Sequence, residues 1–520
     1  MRAGLTFPQK YAILCEKTWN QLPVRAATGK KPAHRSCRPV NATPEVKDPH
    51  MKRYKMLILL PDGKIHKLEI PPFIKTSFRE APLTAAYLAA LVPADLPIDV
   101  RICDESVSRV PASETFDIVC ISIITGTAPR GYYWAEHFRS KGAKVSIGGV
   151  HATLLPEEAA AHADTISTGF GEKTFPELCR DFVAGRLKPR YAQPPGPQDL
   201  SGIPFPRRDL LKKFGYMMPN SIFATRGCKN HCDFCAVVGA NFGWSTRPVQ
   251  EVIDEVRTLP GKHFAFNDVS LCEDREYALE LCHALKPLKK KWGGLMTTKA
   301  TADEELMNAL AESGCSYMLL GFESVMRKGL YTMRKGFNSP DNYFEVCRRL
   351  HERGIIIQGC FIFGLEGETM SIFRDTVDAV NELHIDIPRY AAYTPFPGTE
   401  CYRRLNAENR ILHRDWSYYD TQHVVIWPRD MSPLELDDGL KYAWRETFSL
   451  KSIRHRLSTK RSVYAVALAG NLAYRVYLPK LMRDKARFPE GLDVTRRIAA
   501  EPVGANITPD VAAEKEALCI

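Results

Sequence analysis

Between residues 55 and 400 the chain alternates short apolar runs with longer stretches in which apolar side chains recur every three or four positions. The short runs read as strands and the periodic stretches as helices. In the first third the predicted strands are Lys55–Pro61, Ile98–Asp104, Phe116–Ser122, Lys144–Gly149 and Thr165–Gly169. The predicted helices there are Pro82–Val92, Ala128–Lys141 and a segment ending at Phe182. Such alternation predicts an α/β fold with a parallel, doubly wound (Rossmann-like) sheet that binds its ligand at the carboxyl ends of the strands. Those ends carry Thr125, Gly126 and Thr127, then Gly148 and Gly149, then Gly169-Phe170-Gly171-Glu172. Glycine at such places lets a backbone approach a large planar ligand closely.

Lys188–Arg208 is dense in Pro and Gly and reads as an irregular connector, with helical character resuming at Asp209. Strand–helix repeats then resume. The predicted strands are Ser221–Phe223, His263–Asp268, Trp292–Thr298, Ser316–Phe322, Ile355–Phe363 and Pro388–Tyr393. The helices between and after them are Val249–Leu259, Asp274–Leu288, Asp303–Ser313, Asp341–Arg353 and Met370–Leu383. Six repeats predict a partial (β/α)6 TIM-type barrel with its chemistry at the carboxyl ends of the strands. Cys228, Asn267, Asp268, Thr297, Glu323 and Thr394 fall at such ends. The domain plan is a tail at 1–54, a Rossmann-like domain at 55–187, a linker at 188–220, a barrel at 221–399 and a mainly helical extension at 400–520. In that extension Arg461–Lys480 is apolar with basic flanks, short for a membrane span and interrupted by Asn471 and Arg475. It fits a core helix with a basic outer face, or a helix resting on an anionic membrane surface.

Composition changes this picture little. The 520 residues are 45% hydrophobic and 25% charged, ordinary for a globular protein. The formal net charge of +11 favours anionic ligands weakly and does not call for nucleic acid. Fifteen cysteines, an odd number, with no apolar secretory segment, point to a reducing, cytoplasmic setting. Residues 1–50 are rich in Arg, Lys and Pro and read as a tail irrelevant to the chemistry, with Met51 as an alternative start of translation.

The candidate chemistry lies in Ala224–Cys235, where Cys228, Cys232 and Cys235 stand at C-x3-C-x2-C spacing. A tight trio of thiols outside a secretory context reads as a metal site before a disulfide. Three thiolates are one short of a closed zinc site. On an iron–sulfur cubane they leave one iron open for other ligands. A zinc site with His231 as fourth ligand, and three unrelated buried cysteines, are the alternatives.

With Phe234 before the last cysteine and Thr225-Arg226-Gly227 before the first, this loop resembles that of the radical S-adenosylmethionine (SAM) superfamily. The resemblance implies a 4Fe-4S cluster on Cys228, Cys232 and Cys235 that cleaves SAM to a 5′-deoxyadenosyl radical. It assigns SAM contacts to Phe234, Asn267, Asp268, Thr297, Glu323, Gln358 and Thr394, with Glu323 on the ribose and the Gln358–Gly364 run packing on adenine. Thr394-Pro395-Phe396-Pro397-Gly398-Thr399 matches the family's sixth-strand ending. Gly148-Gly149-Val150-His151 with Leu155-Pro156-Glu157-Glu158, and Gly169–Glu172, resemble the cobalamin-dependent branch. That implies cobalamin contacts from Thr125, Gly126, Thr127, Gly148, Gly149, His151, Gly169, Gly171 and Glu172. The loop after the first strand, Pro61–Leu68, lacks the D-x-H-x-x-G pattern of histidine-ligated cobalamin, so no histidine is expected on cobalt; His66 reads as a loop residue and His151 as a rim residue. Arg334-Lys335-Gly336 reads as a solvated loop, with contact to an anionic substrate or the SAM carboxylate as the alternative. The expected activity is methyl transfer from methylcobalamin to an unactivated carbon or phosphorus of a small molecule, lipid-like or a natural-product intermediate. A flavodoxin or ferredoxin would donate the electron, and no nucleic acid is expected. A cobalamin-dependent cyclisation or rearrangement, and a non-catalytic corrinoid-binding regulator, are the alternative functions; a doubly wound domain without corrinoid is the alternative for the first domain.

Overall fold

The computed structural model describes residues 52–64, 67–70, 74–458, 464–483 and 487–495. The N-terminal tail, Met51 and His66 lie outside them. The first sheet contains β1 (Tyr54–Leu60), β2 (Ile98–Asp104), β3 (Ile118–Ser122), β4 (Lys144–Gly148), β5 (Thr165–Thr168) and β6 (Arg190–Ala192). All neighbours are parallel, in the order β2-β1-β3-β4-β5-β6. A parallel strand between two helical layers is apolar on both faces. Met56 and Ile58 of β1 pack with Ala85, Phe175 and Leu178, while Leu57 and Leu59 pack with Ala128, Tyr132 and Ala135.

The sixth strand comes from residues read as connector. β6 is three residues long, too short to show a period, and is anchored by buried Tyr191, whose hydroxyl donates to Asp181 at 3.0 Å. Farther along the same connector, Leu200 and Ile203 are buried with Leu83, Tyr87 and Phe223. The helical character expected from Asp209 is confined to a 3-10 turn at Arg208–Leu210. Tyr216–Met218 is instead a strand, joined to Lys67–Ile70 and Ile74–Glu80 in a small sheet.

The second sheet runs in chain order: β7 (Ser221–Ile222), β8 (His263–Phe266), β9 (Lys291–Met296), β10 (Cys315–Glu323), β11 (Ile356–Phe363) and β12 (Ile387–Ala392), all parallel. Helices lie between the strands, and two begin on side-chain caps: Asp274 accepts from Tyr277 N and Asp303 from Leu306 N. Burial alternates along β10, β11 and β12. Phe322, Phe361, Phe363 and Tyr390 are buried and meet Tyr343, Phe373 and Trp444 of the outer layer. The opposite face, with Tyr317, Leu319, Gly321, Cys360, Ile362, Arg389 and Ala391, is only half-buried. A closed barrel fills its interior with side chains; this one keeps an open lumen.

The extension closes the barrel's last edge. Pro433–Thr447 starts with a capping box at Ser432 and Glu435 and sets Trp444 against Tyr390. Tyr464–Arg483 is a helix, as the apolar run predicts. Its interrupting polar residues tie it to the protein: buried Asn471 donates to Asp386 O at 2.8 Å, and Arg475 donates to Phe448 O at 3.0 Å. Residues 459–463, including the basic flank at Arg461, lie outside the described residues. No described helix is long and apolar enough to cross a membrane.

Candidate active site

The three cysteines sit in the loop of a hairpin, Thr225–Gly227 paired with Trp244–Thr246, just past the end of β7. Gly227 makes the turn possible. Its φ is +81°, and a Cβ there would lie 1.6 Å from Gly243 O. Side chains distant in sequence brace the loop. Buried Asp268, just past β8, accepts from Ala224 N at 3.1 Å, from Thr225 Oγ1 at 2.7 Å and from Thr225 N. At the other end buried Asp233 accepts from Tyr393 OH and Arg404 Nη2, both at 3.2 Å, and its carbonyl takes Cys401 N at 3.0 Å. In the middle Asn230 directs its backbone N–H (3.4 Å) and Nδ2 (3.3 Å) at Cys228 Sγ, while Lys299 holds Asn230 Oδ1 at 2.6 Å.

Cys232 is buried; Cys228 and Cys235 are half-buried. Cys228 and Cys235 both lie within electrostatic reach of Cys232. Burial pushes the Cys232 thiol up to about 12 and raises Cys235 as well, so metal binding must displace their protons. Among the described residues, no three His, Cys, Asp or Glu converge on a point that one ion would occupy. The donor set is three thiols on one loop, with N–H groups aimed at sulfur, while His231 is exposed. That fits a multinuclear sulfide cluster better than a single zinc.

Of the residues assigned to SAM, Glu323 stands out. It closes β10 buried and with φ +66°, an uncommon conformation for a side chain with a Cβ. Its Oε1 accepts from Lys335 Nζ at 2.5 Å, above Gly321. Lys335 is buried, against the solvated loop expected from sequence, and lies near Cys232. Nothing in its local pattern distinguishes it from a surface lysine; the fold buries it by bringing it to Glu323. Thr394 is buried and bonded to Ala392 O at 2.9 Å, Thr297 is half-buried at the start of a 3-10 turn, and Asn267 is exposed just past β8. Phe234 is half-buried against Leu330, Met333 and Cys401. Asp268 is neither a helix cap nor turned to the mouth: its carboxylate is taken up by Ala224 and Thr225. Gln358 is third in β11, well below the rim where the other candidates lie.

Asp268 predicts a pH response. Burial raises its carboxyl from the ordinary 3.8 to about 6. The folded state therefore binds this proton more tightly, and the group's share of global stability declines as pH rises from 3.8 to about 6. The loop responds with the opposite sign, because the proton occupies an acceptor site that Thr225 uses. Iron release to a chelator should speed up as pH falls through about 6. Asp268→Asn should release iron quickly at every pH; matching profiles in variant and wild type would refute this brace.

The carboxyl edge of the first sheet meets the same region. Val150–Leu154, just past β4, packs on Ala236–Gly239, just past Cys235. Glu172 forms an ion pair at 2.5 Å with Arg226, whose guanidinium lies over Phe170 and Phe223. His151 is not at a rim. It is 0% exposed, with its ring nitrogens 3.2 Å from Thr125 Oγ1 and Glu158 Oε1, because Trp416 of the extension covers it and also donates to Glu158. Gly149 has φ +100°, and a Cβ there would lie 2.4 Å from Ile123 O, so what leaves it no room is backbone and not a ligand. Gly169 likewise abuts Gln193 O, Gly126 lies under Tyr419 O, Gly148 faces Ser167 and Gly171 faces Leu88. Thr127 is buried and bonded to Ile124. Among the described residues, three buried polar atoms toward the carboxyl end of β5 have no partner, Ser167 Oγ, Glu172 Oε2 and Gln193 Oε1, as does Thr165 Oγ1 at its opposite end. Unfilled acceptors at a strand-end crevice suit an amide-rich ligand such as a corrinoid.

A model of the family described as the radical SAM superfamily matches residues 222–380. Over 398 residues the chain is 31% identical to bacteriochlorophyllide d C-12(1)-methyltransferase of Chlorobaculum tepidum, covering 73% of this chain and 85% of that relative. Among solved structures it is similar to the radical SAM methyltransferase TsrM of Kitasatospora setae, determined with cobalamin and a [4Fe-4S] cluster: TM-score 0.53, 18% identity, 69% of this chain and 78% of that one. It is also similar to the cobalamin-dependent SAM radical enzyme OxsB: TM-score 0.59, 13% identity, 84% of this chain and 73% of that one. At these identities the two structures establish the shared fold.

Proposed function

Because the chain belongs to the radical SAM enzymes, as a relative of the cobalamin-dependent methyltransferases, we propose that it methylates an unactivated carbon of a small molecule, with methylcobalamin as methyl donor. The observation that carries this reading is the meeting of two strand-end edges. The cysteine loop, past the end of β7, lies against Val150–Leu154 at the edge of the first sheet. When bound, the cluster and SAM supply a 5′-deoxyadenosyl radical and the corrinoid supplies a methyl group.

Cys228, Cys232 and Cys235 would hold the cubane, with the Asn230 backbone N–H and Nδ2 directed at Cys228 Sγ. Lys335 orients Glu323 for the SAM ribose. Phe234, Asn267, Thr297 and Thr394 border the mouth. Thr125–Thr127, Gly148–Gly149 and Gly169–Glu172 lie at the strand ends that would border a corrinoid, with Glu172 Oε2 and Gln193 Oε1 as the acceptors available to its amides. His151 has both ring nitrogens engaged and is not offered as a cobalt ligand. The named substrate of the Chlorobaculum relative makes an alkyl carbon of a tetrapyrrole the first acceptor to test. A flavodoxin or ferredoxin is the proposed reductant.

Anaerobic purification with cobalamin supplied, followed by iron, sulfide and corrinoid quantitation, tests the cofactor assignment. One cubane and one corrinoid per chain are expected, and turnover should add one methyl group to the acceptor. A cubane without corrinoid would remove methylcobalamin from the mechanism. Loss of hydrogen with no added methyl would make the enzyme a cyclase. Cofactors without any 5′-deoxyadenosine would leave a non-catalytic corrinoid protein.

A further inference from the structure

The lumen holds a cation that the described residues leave uncompensated. Arg389 stands on the inner face of β12, in register with Cys360 of β11 and, through it, with Gly321 of β10. Glu323 follows two residues along β10, and its carboxylate folds back over Gly321, in that same layer. A guanidinium does not lose its proton in a protein. Arg389 is half-buried, yet it makes no hydrogen bond or ion pair among the described residues.

The titratable groups around it are Tyr474, Cys360, Tyr317 and Glu80. Burial raises Tyr317 well above the usual phenol range and pushes Cys360 up to about 11, so neither supplies a negative charge near neutrality. Glu80 is exposed and beyond ion-pair distance. Among the described residues, other enclosed cations have partners: Lys335 pairs with Glu323, Arg247 with Glu255 and Arg410 with Glu366, while Arg456 is held by the neutral oxygens Thr447 O and Asn471 Oδ1. One layer deeper on β11, the Gln358 amide also has no partner among the described residues. A cation in a half-enclosed lumen with no anion beside it is a ready receptor for an anionic ligand.

We infer that Arg389 anchors a carboxylate of the methyl acceptor inside the barrel, with the Gln358 amide beside it. A single planar fork suits one carboxylate bidentately, whereas a phosphate dianion calls for more positive charge than the lumen offers. The half-buried Leu319, Ile362 and Ala391 on the same face would receive an apolar body. The acceptor is therefore an amphiphile whose acidic end is held at Arg389, across the inner face from the Glu323 carboxylate. This rests on the proposed function for taking the lumen as the acceptor site.

The test needs no turnover. Full-length enzyme, reconstituted anaerobically, is dialysed to equilibrium against decanoate or decanamide. Wild type should hold decanoate about ten- to a hundredfold more tightly, the worth of a charged hydrogen bond. Arg389→Gln should abolish that preference and Arg389→Lys keep part of it, with SAM affinity and iron content unchanged in both. Arg389→Leu should not lower the thermal midpoint, since it removes an unpaired charge. Equal binding of the two compounds by wild type, a preference surviving Arg389→Gln, or a lowered midpoint in Arg389→Leu would each overturn the assignment. Loss of SAM binding in Arg389→Gln would overturn it in favour of the SAM carboxylate. Absence of methyl transfer would leave these binding results untouched, so the two readings fail separately.

Discussion

Cys232→Ala should yield a folded protein that holds no cubane and forms 5′-deoxyadenosine from SAM only at the no-enzyme background. Cys232 is the most enclosed of the three thiols, with Cys235, Cys228 and Lys335 around it. Its removal leaves two thiolates, and a cubane with two protein ligands loses its hold and its single open iron. The fold should persist, because Asp268 and Asp233 brace the loop through oxygen and nitrogen atoms, none of them from Cys232. Iron and sulfide assays, 5′-deoxyadenosine quantitation and far-ultraviolet circular dichroism decide it. A variant that retains a full cubane and wild-type SAM cleavage would sink the assignment of these cysteines and the enzyme reading with it.

Glu255→Ala should cost about 3–5 kcal/mol of stability, the range for stripping one partner from a buried ion pair. Glu255 and Arg247 are both 0% exposed, 2.7 Å apart. Glu255 also accepts from Arg208 Nη2 at 2.5 Å and from Tyr87 OH at 3.3 Å. This one carboxylate thus joins the helix Val249–Thr258 to the connector and to the helix Leu83–Leu91 of the first domain. Without it Arg247 keeps its hydrogen bond to Phe223 O, but its charge is stranded, and two of its nitrogens already lack partners. Chemical denaturation of the metal-free protein measures the loss. Replacing the pair together, as Arg247→Met with Glu255→Leu, should recover most of it, since two apolar groups need no counter-charge. A loss under 1 kcal/mol would mean that Arg247 finds another anion or water.

Much of this was legible in the chain because it is local. Strand and helix periods are set by residues within a few positions of one another. The alternation on β1 through β5 and on β8 through β12 was accordingly readable to within a residue or two. The cysteine trio spans eight residues, and thiolate spacing is itself the metal signal. What escaped was non-local or too short. β6 has three residues and no period of its own. Lys335 and Arg389 look alike in sequence, a basic residue near a strand or loop, yet one reaches a carboxylate and the other does not. His151 was read as a rim residue because its motif ends a strand; Trp416, far along the chain, covers it.

The sequence by itself determined the two classes of sheet, the order of their strands along the chain and the three-thiol loop, since each is written in spacing. Only the tertiary structure decided which charges are spent on one another and which remain for a ligand. Asp268 and Asp233 are spent bracing the cysteine loop, and Glu255 joins the two domains. Arg389 is left unspent in the lumen, because pairing depends on which side chains closure brings within a few ångströms, and no local pattern records that.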